Sequence, residues 1–349
     1  MAGVTYKCPG CGAYLVFNPD TQKWRCDFCG ADYDEKELLA KGEAFAQEAE
    51  QERQQEQAEG GGQVVYHCPS CGSEVVTDET TVATQCYYCH SPVVLQGKLT
   101  ADMKPDLVLP FSVSKDKAVE HFLAWVSKKR FVPQGFFTKN EIDTMTGVYY
   151  PHFISDCTLD GQYEGEGRQV SVSVSEKYTT TTTRHYAIRR RGTLSFHNVI
   201  RPALKSADRK LSDGIHPFPT EQLEAFSSAY LSGFLAERRD LDAESVRADV
   251  QNELERYVEP ILTSDLNYDS HNGSASASVK SFQSKYVLLP TWVLTYKKGA
   301  GEPYYYALNG RTGASCGKLP IDTGKLYGYA ALLGAGVCAL MCVLGYFLY

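Results

Sequence analysis

The stretch YKCPGCGAYLVFNPDTQKWRCDFCG, Tyr6 to Gly30, contains two Cys-x-x-Cys pairs with a tryptophan between them. Four thiolates at this spacing suit a tetrahedral Zn²⁺ ion, and each Cys-x-x-Cys-Gly turn presents two sulfurs. A module of about 25 residues cannot fold around a core of its own, so metal binding has to supply its stability. The sequence therefore predicts a first zinc ribbon over residues 1–33. Its metal ligands are predicted to be Cys8, Cys11, Cys26 and Cys29.

The motif returns 60 residues later as YHCPSCGSEVVTDETTVATQCYYCH, beginning at Tyr66, and this internal repeat predicts a second ribbon over residues 63–100. Its predicted ligands are Cys68, Cys71, Cys86 and Cys89. A closed four-cysteine shell leaves no position for water or substrate, so both predicted Zn²⁺ ions are structural. Iron in a rubredoxin-like redox centre is the alternative, although nothing nearby indicates a redox partner.

Residues 34–62 separate the two ribbons and are rich in Glu, Gln and Ala. They contain too few apolar residues for a core-facing stripe, and three glycines end the segment. We therefore expect an exposed helical spacer with a solvated charged face.

Residues 101–323 predict an α+β domain with an antiparallel sheet and a second internal duplication. LPFSVSKDKAVEHFLAW from Leu109 parallels HPFPTEQLEAFSSAYLSGF from His216, and VYYPHFIS from Val148 parallels VLLPTWVL from Val287. Each copy predicts a helix followed by a strand with a central proline. The predicted inward-facing helix residues are Val119, Phe122, Leu123 and Val126, then Leu223, Phe226, Tyr230 and Phe234. The central prolines of the strands predict bulges or edge positions.

Alternation and β-forming residues predict two further long stretches of strand. They are RQVSVSVSEKYTTTTTRHYAIRRRGTLSFHNV from Arg168 and SASASVKSFQSKYVLLPTWVLTYKK from Ser274.

Residues 326–349 carry no charge and predict a transmembrane helix. As a helix they would extend about 36 Å, enough to cross a hydrocarbon core of about 30 Å. A buried core helix is the alternative. Lys318 and Lys325 precede the segment and no charge follows it, which predicts a tail anchor with the soluble part in the cytoplasm. The absence of an export signal at the N-terminus agrees with cysteines kept reduced for metal binding.

Small residues form two rows along this predicted helix and could let two copies approach closely, so self-association is a hypothesis. The rows are Ala330, Gly334, Cys338 and Cys342, and Ala331, Ala335 and Ala339.

Nucleic-acid binding is disfavoured by the net charge of −7 and by the acidic residues around both ribbons. Residues 184–210 hold eight lysines or arginines and one acid. They are interpreted as alternating solvent-facing residues of a sheet, with contact to anionic lipid as the alternative. The chain contains no P-loop, G-x-S-x-G, H-E-x-x-H or protein-kinase motif.

Several segments together resemble a family of uncharacterised bacterial proteins with zinc ribbons of the transcription-factor-IIB type. They are YKCPGCGAYLVFNP, RCDFCG, AFSSAYLSGFLAERRDLDA and LLPTWVLTYKKGAGEPYYYALNGRTG. The resemblance implies a membrane-anchored zinc-ribbon protein of unknown role. Some such proteins carry a replication-restart helicase label, which this sequence does not support because nucleotide-binding motifs are absent.

The sequence thus favours a non-enzymatic adaptor or scaffold that docks an unknown protein partner at the membrane. A membrane-tethered nucleic-acid-binding or transcription-linked protein is the alternative. A third hypothesis is a membrane-associated enzyme whose site the sequence does not reveal.

Overall fold

The computed structural model describes residues 6–38, 63–68, 74–78, 80–86, 92–95, 103–133, 137, 142–296 and 304–348. These residues form a mixed α+β structure with sheets of ten, three and two strands, which confirms the predicted α+β class. Most of the predicted spacer lies outside the described residues, apart from one helical turn at 35–38.

One small sheet runs through the first predicted ribbon, and the other contains the first half of the second predicted ribbon. The three-stranded sheet is β1 (Leu15–Asn18), β2 (Lys23–Cys26) and β3 (Asp32–Tyr33). The two-stranded sheet is β4 (Gln63–His67) and β5 (Glu74–Asp78).

The large sheet takes its strands from the rest of the chain. They are β6 (Thr81–Gln85), β7 (Pro92–Val94), β8 (Leu107–Val108), β9 (Thr146–Val174), β10 (Thr179–Pro202), β11 (Glu224–Ala225), β12 (Leu235–Glu237), β13 (Ser270–Tyr296), β14 (Tyr304–Asn309) and β15 (Ser315–Gly317). The α-helices with defined bounds are α1 (Lys115–Ser127), α2 (Arg209–Gly214), α3 (Ala243–Thr263) and α4 (Thr323–Leu348).

Three long strands dominate the large sheet. β9 lies between β13 and β10 and pairs antiparallel with both. The pairing of β9 with β13 reaches Arg168, whereas β9 and β10 continue as a two-stranded hairpin to the turn before Thr179. The two long stretches of strand predicted from the sequence are therefore confirmed. We call residues 169–184 the outer hairpin.

The two halves of the large sheet share the same order of elements: a short strand, a helix and a long strand. β8, α1 and β9 follow one another in one half, and β12, α3 and β13 do so in the other. β8 pairs in parallel with β13, and β12 pairs in parallel with β9. Tyr150 of β9 lies opposite Leu289 of β13 at the centre of this arrangement.

The helix predicted after His216 is wrong. Those residues form 3-10 turns at Thr220–Gln222 and Ser228–Leu231, with β11 between them. The helix of this half is α3, which begins after Asp242, whose side chain accepts a hydrogen bond from the backbone N–H of Ser245. The spacing of the apolar residues indicated a helix, but these side chains are apolar because they make tertiary contacts. Phe234, for example, stacks on Phe111 with ring centroids 4.2 Å apart.

The predicted bulge or edge placement of the two prolines is also wrong. Pro151 and Pro290 lie in the inner strands β9 and β13. Each lies where its strand changes neighbour on one side: β12 gives way to β10 beside Pro151, and β8 gives way to β14 beside Pro290. A proline has no N–H to donate, so a gap between two partner strands accommodates it.

The apolar end of the chain forms α4. Its segment Thr323–Leu344 has a mean hydropathy of 1.9 and none of it is buried. The 26 residues of α4 extend about 39 Å. Among the described residues this helix is long and apolar enough to cross a membrane.

Candidate metal centre

Two backbone turns of the same geometry carry the four cysteines of the first ribbon. The carbonyl of Cys8 accepts a hydrogen bond from Gly12 N at 2.9 Å, and that of Cys26 accepts one from Gly30 N at 2.8 Å. Both glycines have φ = +73°, a left-handed conformation that glycine adopts without steric cost. This conformation explains why a glycine follows the second cysteine of each pair.

The turns bring the four sulfurs together. The Sγ atoms of Cys8, Cys11, Cys26 and Cys29 all lie within 4.8 Å of one another. Cys8 and Cys29 are 3.6 Å apart, and Cys11 and Cys26 are 3.5 Å apart. Tetrahedral ligands at a Zn–S distance of about 2.3 Å would be about 3.8 Å apart, whereas a disulfide needs about 2.05 Å. The cluster therefore fits a four-coordinate metal ion.

A tyrosine outside the motif supports this cluster. The Tyr33 hydroxyl lies 3.3 Å from Cys8 Sγ, and this hydrogen bond raises the pKa of Tyr33 to about 12, so the hydroxyl keeps its proton. Burial disfavours the Cys8 thiolate, but the bonds from Tyr33 and from backbone N–H groups outweigh it and lower the pKa of Cys8 to about 6. Cys spacing alone gave no signal for Tyr33.

A second thiolate in the cluster forms less easily than the first. The backbone at Ala13 favours the Cys11 thiolate, but desolvation and the neighbouring sulfurs outweigh it and raise the pKa of Cys11 to about 12. A divalent cation would neutralise the crowded sulfurs and displace their protons. The four positions are then filled by protein ligands, an arrangement typical of a structural site.

The second predicted cysteine set is only partly described. Cys68 and Cys86 are buried and pack with Val93 and Leu95, while Cys71 and Cys89 lie outside the described residues. The strands after this first half do not stay with β4 and β5, because β6 joins the large sheet beside β12. The second metal site stays a prediction.

The first ribbon is packed into the core of the large domain through its aromatic residues. Trp24 is buried, and its Nε1 donates to the carbonyl of Ala229 at 2.8 Å. Its ring centroid is 5.1 Å from those of both Phe17 and Tyr230. These aromatic residues of the first ribbon therefore contact this chain's own domain.

Polar contacts surround that apolar interface. The Ser232 hydroxyl donates to the carbonyl of Leu15 at 2.5 Å, and Gln22 Nε2 donates to the carbonyl of Phe111 at 2.7 Å. The Tyr6 hydroxyl lies 2.5 Å from Ser228 Oγ. The ribbon is therefore fixed on the domain on several sides.

Among the residues that the structure describes, four of the eight basic residues in the stretch 184–210 pair with neighbouring carboxylates, the first of them Arg189 with Glu164. Arg190 pairs with Asp265 at 3.1 Å, and Arg201 and Arg209 both pair with Glu253. Burial opposes ionisation of Glu253, but the two guanidinium groups outweigh it and lower the pKa of that carboxyl. This pattern agrees with alternating side chains on a sheet.

A cavity of about 550 Å³ lies beside His152, against β9, β14 and α2. His152 Nδ1 is 3.0 Å from the carbonyl of Tyr150, so this nitrogen carries the proton. His152 Nε2 then accepts from Ser212 Oγ at 3.2 Å. Burial lowers the pKa of His152 to about 4, so the ring is neutral at pH 7. Sequence reasoning gave no signal for this pair, because nothing in the spacing links His152 to Ser212.

Comparison with known proteins gives one full-length likeness. An uncharacterised protein, YdjG of Bacillus subtilis (strain 168), is 29% identical over 335 residues, which are 95% of each chain. No family model matches the sequence. No solved structure matches it either.

Proposed function

We propose that the chain is a tail-anchored, cytoplasm-facing zinc-ribbon protein that acts as a non-enzymatic adaptor or scaffold and docks a protein partner at the membrane. The exposed apolar α4 supports the anchor. Lys318 and Lys325 on the N-terminal side of the span support the cytoplasmic orientation.

In this proposal both ribbons hold structural Zn²⁺. The sulfur geometry of the first cluster supports its site, and the repeated spacing supports the second. Contact between Trp24 and the domain makes the first ribbon a brace for the domain. It also leaves that tryptophan unavailable for stacking on bases, which weighs against the nucleic-acid alternative.

We also propose that the large domain arose by duplication, with β8–α1–β9 and β12–α3–β13 as the two copies. Ser114 and Asp242 precede the two helices at equivalent places. Buried residues follow each of them four and eight positions later: Ala118 and Phe122 in α1, Val246 and Val250 in α3. Parallel pairing of each short strand with the long strand of the other copy supports this assignment.

The observation that carries the docking proposal is the apolar face of the outer hairpin. Val170, Val172 and Val174 lie on one face, and Val172 and Val174 are 60% and 75% exposed. Threonines Thr179, Thr181 and Thr183 lie directly opposite these valines on β10. A row of exposed β-branched residues on a projecting hairpin is typical of a protein contact surface.

The surroundings of this face support one kind of partner. Arg168 precedes the valine row on the same face, and Glu176 and Lys177 lie at the turn beyond it. The partner that fits is a protein surface with apolar residues bordered by carboxylates. An extended segment of such a partner could also pair with the outer edge of β10, the mode of strand addition.

A site-specific photocrosslinker tests this proposal in native cells that express the full chain. At Val172 it should give a defined protein adduct, whereas at Ser173, on the opposite face, it should not. The adduct partner, once purified, should bind the full chain and lose binding to a V170S/V174S variant. Equal crosslinking from the two faces, or binding that the serine variant retains, would contradict docking at this face.

The nucleic-acid alternative is tested with the full chain in detergent. Affinity for DNA or RNA should be absent even at low salt. Binding that weakens as salt rises would support this alternative instead.

A second candidate function, an enzyme, is favoured by the His152–Ser212 pair beside an open cavity. A hydroxyl that donates to a neutral imidazole, itself oriented by a hydrogen bond at its other nitrogen, is the arrangement of an activated nucleophile. A fluorophosphonate probe should then label Ser212, and labelling should stop in S212A and in H152Q. Ser206→Ala, in the same cavity, is the matched control and should label normally. A chain that the probe leaves unlabelled would remove this candidate.

A further inference from the structure

We infer that the cleft between the end of α1 and the start of α4 binds the phosphate headgroup of an anionic phospholipid. This inference rests on the proposed membrane crossing of α4. It concerns a basic segment other than residues 184–210.

The cleft has a volume of about 380 Å³ and two kinds of lining. Three consecutive cationic residues, Lys128, Lys129 and Arg130, form one side. The rest is mainly apolar: Trp125, Phe131, Val132, Leu319, Pro320 and Ile321. Cations beside apolar side chains suit a ligand with a phosphate group at one end and an apolar body.

Contacts to α4 set the height of the cleft relative to a membrane. Arg130 Nη1 donates to the hydroxyl of Tyr329 at 3.0 Å, and its guanidinium lies 5.5 Å from the centre of the same ring. The Phe131 ring lies 5.7 Å from that of Tyr329. The cleft is therefore attached to the early part of α4.

Helix length places that part of α4 at the headgroup layer. Tyr329 is six residues after Thr323, the start of α4, which is about 9 Å along the helix. A helix of about 39 Å exceeds a hydrocarbon core of about 30 Å by about the same distance. An aromatic residue at such a position is typical of the membrane interface.

The cationic groups of the cleft reach solvent, although Arg130 also contacts Tyr329 and Lys129 Nζ lies 5.5 Å from the centre of the Trp125 ring. Lys128, Lys129 and Arg130 are exposed, and within the described part of the chain none of them forms an ion pair with a carboxylate. The nearby Asp322 lies 3.9 Å from Lys325 instead. In the basic run of β10, by contrast, Arg189 and Arg190 each pair with an acid.

The phosphate could come from a lipid or from a soluble phosphate ester, since both carry the same anionic group. The apolar lining and the attachment to α4 favour the lipid. Each basic residue near an anionic surface strengthens the attraction to lipid about fivefold, so three residues together would change lipid affinity by about a hundredfold.

The test uses the full chain in lipid nanodiscs that contain phosphatidylcholine with a minor share of phosphatidylglycerol. Native mass spectrometry measures the phosphatidylglycerol that stays bound after release from the disc. K128Q/K129Q/R130Q should lower this retention about a hundredfold, whereas R189Q/R190Q/R191Q, with the same change of charge, should keep it. A charge-conserving K128R/K129R/R130K variant should also keep it, which would tie the loss to charge and not to the identity of the side chains.

Equal retention by the wild type and K128Q/K129Q/R130Q would overturn the inference. Displacement of the lipid by millimolar glycerol 3-phosphate would also overturn it, in favour of a soluble phosphate ester. Resistance of the chain to alkaline carbonate extraction is measured separately and should be unchanged in every variant. Extraction of the wild-type chain would overturn the proposed membrane crossing, and the lipid site with it.

Discussion

The cysteine cluster of the first ribbon and the cavity beside His152 both hold polar groups within the protein, yet they differ in the space around those groups. The four sulfurs face one another within 4.8 Å and leave no position for a further ligand once a metal is bound. His152 and Ser212 border about 550 Å³ of open volume. Polar groups whose positions are all filled, as in the cysteine cluster, stabilise the chain. Polar groups beside an open cavity, as at His152, leave room for a ligand.

Loss of a metal ligand should have the largest effect. Cys26→Ser would remove a buried sulfur that belongs to the same core cluster as Trp24 and Tyr230. Zinc content should fall by one ion per chain, and the free energy of unfolding should fall by several kcal/mol because metal binding and ribbon folding are coupled. Metal analysis and thermal denaturation measure the two effects.

Cys316→Ser is the control for that change, because Cys316 lies outside the cluster. It should leave both quantities near their wild-type values. A Cys26→Ser protein with unchanged zinc content and unchanged stability would contradict a stabilising metal site at the first ribbon.

Trp24→Ala should have the next largest effect. It removes a buried indole and the hydrogen bond to the carbonyl of Ala229. We expect a loss of about 3–5 kcal/mol in the free energy of unfolding, measured by denaturant titration. Phe28→Ala, in the same ribbon but 83% exposed, should change it by less than about 0.5 kcal/mol. Equal effects of the two changes would show that the ribbon does not brace the domain.

The pH dependence of stability tests the cavity side of the comparison. The folded pKa of His152 is lowered from 6.5 to about 4, so the unfolded chain binds the proton more readily. The stability linked to this histidine is complete above pH 6.5 and is lost as the pH falls through 4. The expected loss is roughly 3 kcal/mol.

His152→Gln should flatten this part of the curve, and the difference between the two proteins isolates the histidine from the carboxylates. The same slope in both would mean that His152 is not buried in its neutral form. Denaturant unfolding at a series of pH values provides the comparison.

Ser212→Ala should have the smallest effect. It removes the hydrogen bond to His152 Nε2 and should cost about 1 kcal/mol of stability. Ser206→Ala, which also lines the cavity, should be close to neutral in the same denaturant titration. A larger loss from Ser206→Ala would reverse the assignment of the group that holds His152.

The sequence predicted what depends on local spacing. Cys8, Cys11, Cys26 and Cys29 lie in short repeated turns, and the alternation of residue types along the strands predicted the sheet. It did not predict contacts between distant segments, such as Trp24 with Ala229, because nothing local records them. The apolar spacing around Tyr230 led to a false helix for the same reason: the pattern reflected packing against the first ribbon.

The central claim is that a metal ion holds the first ribbon as a brace on the domain. ¹⁹F NMR of the full chain, with its three tryptophans fluorinated and Trp24 assigned through Trp24→Phe, tests it most directly. Metal removal by a chelator should move the Trp24 signal to the position of a solvent-exposed indole, and added Zn²⁺ should restore it. A Trp24 signal that stays at its buried position in metal-free protein would contradict the claim.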